Sequence, residues 1–149
     1  MIVDVLKNIA TNRLNMDFAY GDKPSLNLKD GTVNDKYCFW LLPVENKPQL
    51  NDFNRTIANN WDVALFMCIK SDMDGGSADE NGEDYYSEKW TKNIKPLYDM
   101  QAVNKMTMAF TCIESLTLSN LIYKEVMNIP FDQNMDGLYI TFTIKEDLI

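Results

Sequence analysis

Leu138, Ile140, Phe142 and Ile144 alternate with Tyr139, Thr141, Thr143 and Lys145, and this period of two is the strongest constraint on the fold. Alternating side chains leave a strand on opposite faces, so one face of a sheet must be packed while the other accepts polar groups. Two continuous apolar runs add further strands. Tyr37–Leu42, ended by Pro43, and Trp61–Ile69 have the length and composition of strands buried on both faces or paired at a subunit contact. Met106, Met108, Phe110 and Cys112 alternate with Thr107, Ala109 and Thr111, which reads as a half-buried strand, and Leu121–Met127 reads as another.

Two segments carry helical spacing instead. In Met1–Leu14, Ile2, Leu6 and Ile9 share one side, with Val3, Ala10 and Leu14 adjoining. In Tyr85–Asn104, Trp90, Ile94, Leu97 and Tyr98 form the apolar side, and Pro96 inside the pattern predicts a kink or a split. The polar, turn-rich stretch Asn15–Lys36 reads as a long loop. The expected fold is one α+β domain over residues 1–149, a mostly antiparallel sheet of four to five strands packed by two main helices.

Charge is concentrated in one place. The chain has 14 Lys+Arg against 22 Asp+Glu, a formal net charge of −8. Six of the acids (Asp72, Asp74, Asp79, Glu80, Glu83 and Asp84) fall within residues 71–84, a Gly-containing segment without a single base, so the remaining body is nearly neutral. Net negative charge opposes binding to phosphate backbones, and no sequence-specific nucleic-acid binding is expected. Gly75, Gly76 and Gly82, together with like-charge repulsion, make the acidic segment read as a solvated loop. No membrane span is expected, because the longest strongly apolar run, Cys38–Val44, is far short of the roughly 20 residues a helix needs.

Three cysteines, Cys38, Cys68 and Cys112, each lie in an apolar run without a CxxC spacing. Buried thiols in a reducing compartment are therefore expected, not a disulfide framework or a zinc site. The mixed charges of Met1–Leu14 do not resemble an export leader, and the expected address is the cytoplasm.

The chain contains no histidine, which removes the commonest general base, the imidazole metal ligand and the usual triad partner. Phosphate-binding, nucleophile-elbow and metalloprotease motifs are missing too. Asp132-Gln133-Asn134-Met135-Asp136-Gly137 fits the first half of a calcium loop, but Thr143 stands where the bidentate Glu belongs. A β-turn at Asp136-Gly137, with glycine supplying positive φ ahead of the last strand, accounts for the string better. Trp40, Trp61 and Trp90 and most of the nine methionines read as core. No catalytic residue, no cofactor and no resident metal are expected.

The N-terminal amphipathic helix, the strands 37–42 and 61–69, the helix around Trp90 and the closing unit Ile129–Leu138 followed by Tyr139–Ile144 together resemble a family of small tailed-phage neck and tail proteins. These are tail-terminator, tail-completion and head–tail connector subunits, including those of crAss-like phages, and the closing unit carries most of the likeness. The resemblance implies a non-enzymatic virion protein, assembled in the host cytoplasm. It would be a subunit of a homo-oligomeric ring at the neck or tail through which DNA passes, and its partners would be copies of itself and neighbouring neck or tail proteins. On that reading, Asp72, Asp74, Asp79, Glu80, Glu83 and Asp84 would face the lumen or a partner, where like charge eases the passage of DNA. The alternative left by the residues themselves is a small calcium-modulated or protein-binding module without catalytic activity.

Overall fold

Ile2, Leu6, Ile9 and Ala10 are buried at helical spacing, and the chain is helical from its second residue. Helix α1 (Ile2–Asn8) runs into one π-helical turn, Ile9–Arg13. Asn15, at φ 52, ends it, and the Met16 N–H returns 2.9 Å to the Ala10 carbonyl, one residue wider than the usual 6→1 closure of a helix terminus, in keeping with the π winding. The computed structural model describes residues 1–22, 36–70, 84–130 and 134–148, with only the backbone at 84–86, 128–130 and 134.

The described residues form one seven-stranded mixed sheet. Its strands are β1 (Asp17–Tyr20), β2 (Cys38–Leu41), β3 (Glu45–Asn46), β4 (Gln49–Leu50), β5 (Thr56–Lys70), β6 (Leu116–Pro130) and β7 (Asn134–Asp147). The main order is β1-β2-β5-β7-β6, and β3 and β4 pair with the first half of β5. Only β1 and β2 run parallel; every other pairing is antiparallel. The α+β class expected from the sequence holds. The sheet exceeds the expected four to five strands because of the short strands β1, β3 and β4. β1 lies within the stretch read as a loop, whose residues 23–35 are outside the described part.

A second helical segment crosses one face of the sheet. It comprises α2 (Asp84–Lys89), a π-helical turn at Trp90–Ile94, α3 (Lys95–Asp99) and α4 (Ala102–Thr111). Pro96 has no N–H to donate, and the helix passes from π to α winding just before it without interruption, so the expected split falls not at Pro96 but five residues later. Gln101, at φ 54, then separates α3 from α4.

The strand expected at Met106–Cys112 is instead helical. Ala102, Met106, Ala109 and Phe110 are buried at i, i+4, i+7 and i+8, whereas Met108 is 58% exposed and Cys112 also faces solvent. The main core lies between this helical layer and the sheet. Phe39 and Leu41 of β2, Val63, Leu65 and Met67 of β5, and Leu138, Ile140, Phe142 and Ile144 of β7 pack against Leu6, Ile94, Leu97, Met106 and Phe110. Each such side chain stabilises the fold by about 1.5–3 kcal/mol when removed from water.

Candidate functional site

The residues marked by charge in the sequence are the ones the structure says least about. Asp72, Asp74, Asp79, Glu80 and Glu83 lie outside the described residues, and Asp84 opens α2 with only its backbone described. Among the described residues, no three His, Cys, Asp or Glu side chains come together in a way that could hold a metal ion.

Asp136 and Gly137 do not form a turn. Both lie inside β7, with Asp136 opposite Ile69 and Gly137 opposite Cys68 on β5. The Asp136 side chain enters the helical face of the sheet, fully buried, and its Oδ1 lies 3.1 Å from the equally buried Nζ of Lys89. Asn93, one turn further along the π-helical segment, donates its Nδ2 to the other carboxylate oxygen at 2.8 Å. The Tyr37 hydroxyl donates to the Asn93 carbonyl, tying the residue before β2 into the same cluster. Burial, and then the Asp136 charge, push the Tyr37 hydroxyl up to about 12. A charge pair without solvent is stable only when hydrogen bonds satisfy its remaining lone pairs, and Asn93 supplies one of them. The cluster clamps the helical segment to β7 and uses a carboxylate that a calcium loop would need. Lys89 and Asn93 escaped notice in the sequence because polar helix residues are solvent-facing by default. The available signal was their i, i+4 spacing in line with the buried Ile94 and Leu97.

A second clamp sits at the outer strand. Glu125 on β6 accepts hydrogen bonds from Trp90 Nε1 and from the Tyr98 hydroxyl, both at 2.9 Å, while the two rings stack 6.3 Å apart. Trp90 is thus a half-buried anchor at the rim of the core.

The face of the sheet turned away from the helices carries an ordered row. Ala19, Trp40, Phe66, Tyr139 and Lys124 are register partners in succession across β1, β2, β5, β7 and β6. The Trp40 and Phe66 rings stack at 5.1 Å, Phe66 and Tyr139 lie 4.8 Å apart, and the Lys124 ammonium stands over Tyr139 at 5.8 Å. Trp40 Nε1 donates to the Gly21 carbonyl at 2.8 Å, which satisfies its one polar group.

Among the described residues, several large apolar side chains face solvent, and two places matter here. In the β4–β5 connection, Asn51 Oδ1 accepts the Phe53 and Arg55 N–H groups at 2.9 and 3.0 Å, and Asn54 adopts φ 60. This Asx-type turn holds Phe53 90% exposed, with Leu50 at 51% three residues before it. The second is Ile122 of β6, an edge of the sheet, 68% exposed on the face turned away from the helices, while Tyr123, 44% exposed, leaves the strand on the opposite face. Ile122 pairs with Thr141, and Thr141 with Ala64, eight residues along β5 from Thr56. That offset corresponds to about 27 Å of extended strand. β6 is bulged at Ser119/Ile122 and at Val126/Ile129, leaving a regular stretch between.

No protein-family model matches the chain, and no curated protein matches it. Among the described residues, no helix is long and apolar enough to cross a membrane.

Proposed function

We propose that the chain is a structural subunit of a homo-oligomeric ring at a phage neck or tail, in a terminator, completion or connector role, with copies of itself and neighbouring neck or tail proteins as partners. The observation that carries this reading is the pair of distant, dissimilar exposed apolar side chains, Phe53 on its fixed turn and Ile122 on the β6 edge. Head-to-tail rings need two different patches on each subunit, one to fill the other in the next copy, whereas a symmetric dimer needs one. An aromatic ring held out by an ordered turn is suited to anchor such a contact, since little entropy is lost on docking. The closing residues resembling the phage proteins contribute to the antiparallel β6–β7 pair, in keeping with a terminal hairpin. The acidic residues 72–84 would then face the lumen or a partner.

Light scattering across a concentration range, with electron microscopy of any large species, tests this. Rings with a central hole are expected, either from the chain alone or on mixing with neighbouring neck or tail proteins. A monomer at every concentration that also binds none of those proteins would overturn the proposal.

A further inference from the structure

Cys38 opens β2, and Cys68 stands directly across from it on β5. Each lies two residues from a member of the Trp40–Phe66 pair, so both side chains leave the sheet on the face opposite the helices. The backbone bonding defines their separation. The Leu42 N–H donates to the Ala64 carbonyl at 3.0 Å, which makes 42–64 a hydrogen-bonded pair in the same register. Stepping back by twos, 40–66 and 38–68 are pairs of the same kind. Cα atoms in such a pair lie about 5.5 Å apart, inside the window of roughly 4.4–6.8 Å that disulfides span. Their Cβ atoms lie up to about 5.5 Å apart, about 1 Å beyond what a disulfide prefers. Closure therefore requires the strand end to draw in. Cys38 is the first residue of β2, with Asp17 of β1 paired on its other side.

We propose that Cys38 and Cys68 are a redox pair that closes into a strained, readily reduced cross-strand disulfide when the chain meets a small-molecule disulfide. Cys38 is half-buried and Cys68 fully buried, so Cys38 reacts first. Its thiolate, having given its proton to water, attacks one sulfur of the small disulfide. The S–S bond breaks, one thiolate leaves and takes up a proton, and a mixed disulfide remains on Cys38. Cys68 then loses its proton and displaces the second thiolate, which is protonated in turn. Two protein thiols are oxidised and one small disulfide is reduced to two thiols. Burial and the neighbouring Cys38 hold the Cys68 thiol well above the ordinary range, so this second step is slow at neutral pH and faster in mild alkali. The strain described above places the bond among the labile class, not the structural one.

The experiment uses the full chain carrying Cys112→Ser, which removes the exposed third thiol, treated with oxidised glutathione in mild alkali. After quenching in denaturant with an alkylating agent, the intact mass and peptide map are read. The expected result is a loss of two hydrogens, no alkylation at Cys38 or Cys68, and a linked peptide joining them. That link should reopen in a reduced-to-oxidised glutathione mixture that leaves an unstrained structural disulfide closed. Adding Cys38→Ser must abolish the link and leave Cys68 open to alkylation in denaturant. A lasting glutathione adduct on Cys38, or two alkylatable thiols when the same oxidant links the chain in denaturant, would overturn the proposal. A link that resists the glutathione mixture would overturn its strained, reversible character.

Discussion

Lys89 Nζ stands 3.1 Å from Asp136 Oδ1, and neither side chain has any exposure to solvent. The pair spans the core from the helical segment to β7, with Asn93 completing it at 2.8 Å. Removing one partner leaves an uncompensated charge in a place water does not reach. Lys89→Met is therefore expected to cost about 3–5 kcal/mol, read as a lower midpoint in urea unfolding. The double variant Lys89→Met with Asp136→Leu removes both charges, and its loss should be smaller than the sum of the two single losses by about 0.5–3 kcal/mol. Additive losses would show that the two residues act independently.

Gly137, next to Asp136, is required for space and not for its backbone angles. A Cβ there would sit 1.9 Å from the Met67 carbonyl oxygen and 2.8 Å from Cys68 Cα. Both obstructing atoms are backbone, so relief requires β5 and β7 to part. Gly137→Ala is expected to destabilise by roughly 3 kcal/mol, the upper end for overpacking, with a lower melting temperature as the check. An unchanged melting temperature would mean that the two strands separate at little cost.

The alternation at Leu138–Lys145 and the runs Tyr37–Leu42 and Trp61–Ile69 were legible as strands because the core enforces their spacing. The first helix was legible as an apolar stripe, whereas Pro96 marked only a change of winding and the break itself came at Gln101. Met106–Cys112 was ambiguous in principle. Met106 and Phe110 are four residues apart, which satisfies both a period of two and a helical turn, and only the exposure of Met108 separates the two. Asp136-Gly137 has turn residues used for other ends, a buried charge and a close backbone approach. β1 left no mark, since a four-residue strand owes its pairing to β2, which is distant in sequence. As for the candidate site, the acids that stood out lie mostly outside the described residues. Phe53 did not stand out, because a single aromatic among polar neighbours reads as neither core nor loop.

Phe53→Ser separates assembly from folding. The side chain is 90% exposed and the Asx turn that carries it is built from Asn51, so stability should change by no more than about 0.5 kcal/mol. Self-association, measured by light scattering against the parent chain, should weaken by tenfold or more if the ring anchors at this point, as a lost aromatic hot spot of about 1.4 kcal/mol or more requires. Equal association by the variant and the parent would take Phe53 out of the interface and leave the β6 edge as the candidate.

Tyr37 makes stability sensitive to alkali. Burial, reinforced by the Asp136 charge, raises its hydroxyl to about 12, above the usual tyrosine value near 10. In the folded chain the proton is retained over a range in which the unfolded chain releases it. The contribution of Tyr37 is therefore complete below about pH 10 and is lost as pH rises toward about 12. Tyr98 is raised to about 12 as well, by burial and then by its hydrogen bond to Glu125, and adds in the same direction. Urea midpoints should fall across this window. Tyr37→Phe should lower stability at neutral pH, through the lost hydrogen bond to Asn93, by about 1 kcal/mol. The same variant should flatten the alkaline decline without abolishing it, since Tyr98 remains. A decline as steep as that of the parent would place the sensitivity elsewhere than at Tyr37.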